Sequence, residues 1–177
     1  GKSSNAWSYE LRDFIDDGIN PVPISVNFSP IHLYDRSFVE SVNQMTDKYR
    51  VPHHLIEIEF TESAMIENLK AVKNIITALH RSGYLVAMDD FGSGYSSLNV
   101  LKELSVDVVK LDREFMKFED KTQKGELVVQ SVIKLAKKLS LVTVAEGVEI
   151  EPQLDFLRIC GCDIIQGYYF SKPVDRD

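Results

Sequence analysis

Short apolar stretches alternate along this chain with amphipathic stretches of helical period. The apolar stretches have the length of ordinary buried strands. They predict six strands: Pro23–Asn27, Leu55–Thr61, Tyr84–Asp89, Val106–Leu111, Leu141–Glu146 and Asp163–Phe170.

The five stretches between these strands carry apolar residues at helical spacing. Their apolar faces are Phe38, Val42, Met45 and Tyr49; Leu69, Val72, Ile76 and Leu79; Leu98, Leu101 and Leu104; Val128, Val132, Leu135 and Leu139; and Leu154, Leu157 and Cys160. Ser37 suits an N-cap, and Gly83 and Gly161 suit C-caps. Six strands that alternate with five helices predict an α/β protein with a parallel sheet.

The N-terminal residues indicate a domain that is not whole. Residues 1–6 begin with small and polar side chains, and we expect them to be an expression-vector remnant or a frayed end. Trp7, Leu11 and Ile15 then have helical spacing, which predicts the tail of a helix that leads into the first strand. We therefore expect residues 7–177 to form one domain whose upstream part is missing.

Composition narrows the possible functions. The 177 residues fit one domain at about 150 residues per domain. There is no apolar run of the roughly 18–20 residues that a membrane helix needs, and no secretory signal is visible. Cys160 and Cys162 are too close together for an easy bridge, which favours a reducing cytoplasm. The net charge of -7 argues against a nucleic-acid polymer as partner.

Each predicted strand ends in a polar or ionisable residue. In strand order, these residues are Asn27; Glu59 and Glu62; Asp89 and Asp90; Lys110; Glu146; and Gln166. A single such residue is usually a helix cap or a solvated charge. Parallel α/β proteins place their chemistry at the carboxyl ends of the strands, so the whole series predicts an active site there.

The residue types at these ends favour metal-assisted chemistry. Several ionised carboxylates at one place repel one another. Hard cations such as Mg²⁺ or Mn²⁺, which also accept an amide oxygen as a ligand, would relieve that repulsion. The adjacent pair Asp89–Asp90 could contact two ions, which together assist displacement at phosphorus. Lys110 could orient the attacking water, or it could simply form a salt bridge inside the barrel. Glu57 shares a strand face with Glu59 and is either a supporting carboxylate or part of an interior ion pair.

Taken together, the motifs resemble one family. Asp89–Leu98 resembles the DDFGTGYSSL loop of the EAL-domain family, bacterial phosphodiesterases of cyclic di-GMP. The other motifs follow in the family's order: Val26–Ser29 like VNLS, Glu59–Ser63 like ELTES, Lys110–Asp112 like KID, Ala145–Glu149 like AEGVE and Gln166–Tyr168 like QGY.

The resemblance implies a modified TIM (β/α)8 barrel that cleaves cyclic di-GMP to pGpG with two Mg²⁺ or Mn²⁺ ions. It assigns Asn27, Glu59 and Asp89 to the first ion, and Asp89, Asp90 and Glu146 to the second, directly or through water. The catalytic residues would be Glu146 and Lys110, with Lys110 holding the nucleophilic water. Glu62 and Glu149 would give support, with Glu62 anchoring the loop after Asp90, and Gln166 would lie near the water or the substrate phosphate. It also implies a homodimer through that loop, and sensory or GGDEF domains in the parent protein.

Two departures from the family's pattern matter. His32 stands where the family has Gln, and we expect it to be a surface histidine rather than a catalytic one. The Glu-Ala-Leu sequence that names the family, whose Glu is a metal ligand, does not occur in the chain. We therefore expect about six of the eight β/α units, the C-terminal three quarters of the domain, with exposed sheet edges covered by other residues.

Two other functions compete with a phosphodiesterase. A catalytically inactive receptor for cyclic di-GMP is favoured by the missing Glu-Ala-Leu segment. A phospho-acceptor receiver domain also uses an acidic pair and a lysine. In that fold the acidic pair follows the first strand, whereas Asp89–Asp90 follow the third, so the receiver reading is weak.

Overall fold

The computed structural model describes residues 6–30, 32, 35, 37–92, 97–116 and 124–172. Its helices are α1 (Ala6–Asp16), α2 (Phe38–Lys48), α3 (Glu62–Glu67), α4 (Leu69–Ser82), α5 (Ser97–Glu103), α6 (Lys124–Lys138) and α7 (Glu151–Cys160). Its strands are β1 (Ile24–Asn27), β2 (Ile56–Thr61), β3 (Leu85–Phe91), β4 (Val108–Leu111), β5 (Val142–Ala145) and β6 (Ile164–Ile165). Single 3-10 turns lie at His53–Leu55 and Arg113–Met116.

The six strands form one parallel sheet whose spatial order is the sequence order, β1 to β6. Every neighbouring pair is parallel, so each connection returns over the sheet through helical segments. Within the described residues β1 and β6 are the two outer strands. The fold is a half-barrel with helices, which confirms the predicted α/β class and the predicted number of strands.

The core lies between the sheet and the helices that cover it. The middle strands are buried on both faces, and Ile56, Ile58 and Phe60 of β2 are almost completely inaccessible. Helix α4 adds its apolar face of Val72, Ile76 and Leu79, as its spacing predicts. Full burial of each such side chain contributes about 1.5–3 kcal/mol.

Two of the three predicted helix caps are confirmed. Gly83 and Gly161 end α4 and α7 in the left-handed region, at φ 89° and φ 76°. Ser37 does precede α2, but its side chain makes no capping hydrogen bond. Its hydroxyl instead donates to Asp35 Oδ1 at 2.7 Å.

Three further expectations need correction. The buried residues of α6 are Val129, Ile133 and Ala136, each one position after a residue of the predicted face that begins at Val128. Helix α3 was not predicted; Thr61 caps it by accepting the N–H of Ala64 at 3.3 Å. The last strand comprises only Ile164–Ile165, because the chain turns where Gly167 approaches the backbone of Val148.

No helix in the described part of the chain is both long enough and apolar enough to cross a membrane. Cys160 and Cys162 are both free thiols. The cytoplasmic location and the boundary at residue 6 stay predictions.

Candidate active site

The strand register brings the polar strand ends together. Asn27 at the end of β1 is the register partner of Glu59 on β2, and Thr61 on β2 is the partner of Asp89 on β3. Because all strands are parallel, these residues lie at the same edge of the sheet. The carboxyl ends of β1, β2 and β3 therefore supply one amide and two carboxylates to one place.

Lys110 on β4 lies at the centre of this group. Its ammonium Nζ donates to Glu59 Oε1 at 2.5 Å and is 2.6 Å from Glu146 Oε1. The exposed fraction of the side chain is 11% for Lys110, 5% for Glu59 and 28% for Glu146. Lys110 on β4 thus contacts Glu59 on β2 and Glu146, which follows β5. These contacts are the salt bridge inside the barrel, one of the two roles that the sequence leaves open for Lys110.

The charge of Lys110 is fixed by these two partners. Burial alone would lower the pKa of the Lys110 ammonium, but the hydrogen bonds to Glu146 and Glu59 outweigh burial and raise that pKa above its usual value. With both partners in place, Lys110 is therefore a cation at neutral pH. It can neutralise charge or donate hydrogen bonds, but it cannot act as a base there.

The acidic pair at the end of β3 has an unusual backbone. The register of β3 with β4 shifts between Met88 and Phe91, and Asp90 has a positive φ of 56°. The backbone N–H of Asp90 donates to Asp89 Oδ1 at 2.9 Å. A non-glycine residue in the left-handed region carries strain, which is often found at functional sites.

Asp90 also has an unfavourable environment for its charge. Burial raises the pKa of the Asp90 carboxyl, and the nearby carboxylates of Asp89 and Asp112 raise it further. A cation at this position would reverse that effect. Asp90 is thus a carboxylate that would gain from a bound cation.

Glu62 lies behind the acidic pair. It is the first residue of α3, is 1% exposed, and accepts the backbone N–H of Gly92 at 3.1 Å through Oε2. Gly92 begins the segment after β3. Residues 93–96 of that segment, which carry the predicted dimer contact, lie outside the described residues.

The remaining predicted site residues lie at the exposed rim. The Glu149 carboxylate is 3.3 Å from Arg113 Nη1. Gln166 is exposed, and its backbone is fixed between strands because its N–H donates to Ala145 O and its carbonyl accepts from Val148. His32, which follows β1, is half-buried, and its ring packs on Phe28 and Phe38.

Two features of the site go beyond the expectations from the sequence: the hydrogen bond of Glu57, whose role was left open, and the effect of Asp112, which was quoted only within the Lys110–Asp112 motif. Glu57 accepts a hydrogen bond from the Ser25 hydroxyl at 2.9 Å, and burial raises the pKa of its carboxyl. Asp112 acts electrostatically on Asp90. Asp112 lies two positions after Lys110, and the period of two along a strand was a signal that could have found it.

The fit of a metal can be judged from the donors. Within the described part of the chain, no three or more His, Cys, Asp or Glu side chains stand in an arrangement ready to hold one ion. Two of the predicted ligands, Glu59 and Glu146, are engaged by Lys110 instead. The predicted donors are nevertheless all oxygen atoms from carboxylates and one amide, the set that Mg²⁺ and Mn²⁺ prefer.

The chain is similar to known proteins over almost its whole length. The model of the EAL domain family matches residues 5–173. The cyclic di-GMP phosphodiesterase NbdA of Pseudomonas aeruginosa is 35% identical over 165 residues, which are 93% of this chain and 21% of NbdA. The chain spans 20% to 22% of the length of NbdA and two other curated relatives.

Two solved structures are informative. The EAL domain of Mycobacterium smegmatis DcpA has a TM-score of 0.88 and 36% identity, over 96% of this chain and 77% of that chain. Klebsiella pneumoniae BlrP1, solved as a complex with manganese and cyclic di-GMP, has a TM-score of 0.85 and 27% identity, over 95% of this chain and 43% of that chain.

Proposed function

Because the chain belongs to the EAL domain family, we propose that it is the larger part of a phosphodiesterase domain that hydrolyses cyclic di-GMP to linear pGpG. NbdA and another relative of similar sequence identity are named cyclic di-GMP phosphodiesterases. The observation that carries the proposal is the Lys110 ammonium between Glu59 and Glu146, with the acidic pair Asp89–Asp90 on the neighbouring strand.

The reaction replaces one phosphodiester bond. The oxygen of a water molecule bonds to one phosphorus, and the bond from that phosphorus to the 3′ oxygen breaks. The water gives up a proton and the 3′ oxygen gains one, so the product is a linear dinucleotide with a 5′ phosphate. The site must place the water in line with the leaving oxygen and neutralise the charge that develops at phosphorus.

The carboxylates would hold two Mg²⁺ or Mn²⁺ ions. Asn27, Glu59 and Asp89 would bind the first ion, and Asp89, Asp90 and Glu146 the second. Bound ions of this kind lower the pKa of a coordinated water and neutralise the oxygens of an in-line displacement. The raised pKa of Asp90, caused first by its burial and then by Asp89, supports a cation-binding position at this carboxylate.

The other residues would position water, substrate and loop. Lys110, a cation that contacts Glu59 and Glu146, would donate a hydrogen bond to the nucleophilic water and hold it against phosphorus. Gln166, exposed at the rim, would contact the substrate phosphate. Glu62 would hold the segment after Asp90 through Gly92, and Glu149 would support the rim through Arg113.

A second function has one observation in its favour. In the described structure, two of the proposed metal ligands, Glu59 and Glu146, are held by Lys110 instead of being open to an ion. A chain that binds cyclic di-GMP without hydrolysing it would act as a receptor. Under either function, we propose that the chain forms a homodimer through the loop after Asp90. The parent protein would carry sensory or GGDEF domains.

One assay tests both functions. The chain is incubated with cyclic di-GMP and Mn²⁺, the products are separated by chromatography, and nucleotide binding is measured in parallel. Formation of pGpG supports the phosphodiesterase, whereas binding without product supports the receptor. Neither binding nor product would contradict both proposals for this chain.

Asp89→Asn is the matched variant for that assay. The Asn side chain keeps an oxygen that can accept the N–H of Asp90, so the fold should be retained. Loss of one carboxylate should reduce turnover at least 100-fold, because the metal ions that it would hold contribute several kcal/mol to stabilising the charge of the transition state. Unchanged turnover would contradict the two-ion assignment.

A further inference from the structure

We propose that Lys110 is a built-in competitor for the metal ions, which occupies the carboxylates of Glu59 and Glu146 until a divalent cation displaces it from at least one of them. This inference rests on the proposed function, since it concerns the same carboxylates. It gives Lys110 a role before catalysis, in setting how tightly the site binds metal.

The burial of Glu59 is the first step of the argument. The Glu59 side chain is 5% exposed, and an ionised carboxylate at such a place needs a compensating cation. The Lys110 ammonium, 2.5 Å away, is that cation in the described structure. Glu59 is therefore held in a fixed position by Lys110 without any metal.

The sharing of ligands is the second step. The ammonium uses Oε1 of Glu59 and Oε1 of Glu146, two of the carboxylates proposed to bind the ions. A divalent cation on the same carboxylates would lie close to the ammonium, and two cations in a poorly solvated site repel each other strongly. Metal binding must therefore pull Lys110 away from at least one partner.

The difference in exposure between Glu59 and Glu146 indicates which contact of Lys110 breaks when a metal ion binds. The Glu146 side chain is 28% exposed and the Glu59 side chain is 5% exposed. Water can compensate a released Glu146 carboxylate far better than a released Glu59 carboxylate. We therefore place the exchange at Glu146, which leaves the ammonium on the Glu59 side, free to donate to a water.

The test measures metal affinity without any substrate. Mn²⁺ is titrated into the unaltered chain and into Lys110→Met by isothermal titration calorimetry. We expect Lys110→Met to bind Mn²⁺ at least tenfold more tightly, because its carboxylates no longer have an internal cation. Lys138→Met removes the same charge from the exposed end of α6 and should stay within twofold of the unaltered chain.

Two additional measurements protect the test against misfolding of the variant. Lys110→Gln can still donate one hydrogen bond to a carboxylate, and we expect the same tightening in it. In the unaltered chain with ¹⁵N-labelled lysine, the ammonium signal of a buried, ion-paired lysine should shift as diamagnetic Mg²⁺ is added, while the exposed lysines should not change.

The outcomes separate this inference from the proposed function. Equal or weaker Mn²⁺ binding by both variants, or a buried lysine signal that Mg²⁺ leaves unchanged, would overturn the competition even if the unaltered chain hydrolyses cyclic di-GMP. Binding by the variants alone would be the strongest support. Absence of Mn²⁺ binding in all chains would overturn both the competition and the metal-dependent function.

Discussion

Glu62 is a buried acid whose position is explained by one hydrogen bond. Its carboxylate accepts the N–H of Gly92, two residues after Asp90, and only 1% of the residue is exposed. Glu62→Ala would leave that N–H without its acceptor, which costs about 1–3 kcal/mol of folding free energy. Because Gly92 follows the acidic pair directly, we also expect Mn²⁺ affinity and turnover to fall at least tenfold.

Glu62→Gln is the control that separates the bond from the charge. Its amide oxygen can still accept the N–H of Gly92. Urea unfolding and Mn²⁺ titration should therefore give values closer to the unaltered chain than to Glu62→Ala. If Gln and Ala reduce metal affinity equally, the charge of Glu62 matters and the anchoring bond does not.

Single residues at strand ends could be predicted because the end of an apolar run is visible in a sequence. Glu59, Lys110 and Glu146 were identified in this way, and the structure brings all three into contact. The partner of Glu57 could not be predicted. Ser25 reaches it only because the two residues are register partners of neighbouring strands, and register depends on the assembled sheet.

The junction of β6 with the segment between β5 and α7 depends on a residue without a side chain. A Cβ atom at Gly167 would lie 2.1 Å from the carbonyl oxygen of Val148 and 2.3 Å from its nitrogen. Because both are backbone atoms, they cannot rotate away. We expect Gly167→Ala to lower the free energy of unfolding in urea by about 3 kcal/mol, and to disturb the neighbouring Gln166.

Gly18→Ala is the matched control for this junction. Gly18 also has a positive φ, of 73°, but a Cβ there would meet nothing within 4 Å. Its substitution should cost only the left-handed backbone penalty of about 1 kcal/mol. Equal losses at Gly18 and Gly167 would show that backbone conformation, and not the contact with Val148, is what requires glycine at position 167.

Helices were predictable where their apolar residues cover one face only. Helix α4 has its apolar residues on one side and a glycine at its end. Its cap and three residues of its predicted face are confirmed, whereas Leu69, in the first turn, is 37% exposed. Helix α6 contains three consecutive apolar residues, Leu127 to Val129, near its start, so its spacing supports two faces. The sheet buries Val129 and leaves Leu127 63% exposed, a choice made by packing rather than by spacing.

The number of strands and their parallel direction follow from the alternation of patterns, but what covers the two outer strands does not. A cavity of about 290 Å³ beside β1 is lined by apolar residues that include Leu11, Ile19 and Val22. A cavity of about 570 Å³ beside β6 is lined by residues that include Ile164 and Phe170. What covers an outer strand is another stretch of polypeptide, so the sequence of the strand itself carries little information about it.

The outer strand β6 should make this chain associate with itself. A parallel edge strand offers unpaired backbone groups, and Ile164 on it is 52% exposed. Sedimentation velocity at increasing concentration should show association of the unaltered chain, and Ile164→Lys should weaken it at least tenfold, because a lysine on an edge opposes pairing. Ile159→Lys adds the same charge on α7, where the isoleucine is 81% exposed, and should leave association unchanged. Equal weakening by both variants would attribute association to general hydrophobicity, and a monomeric unaltered chain would contradict the role of the edge.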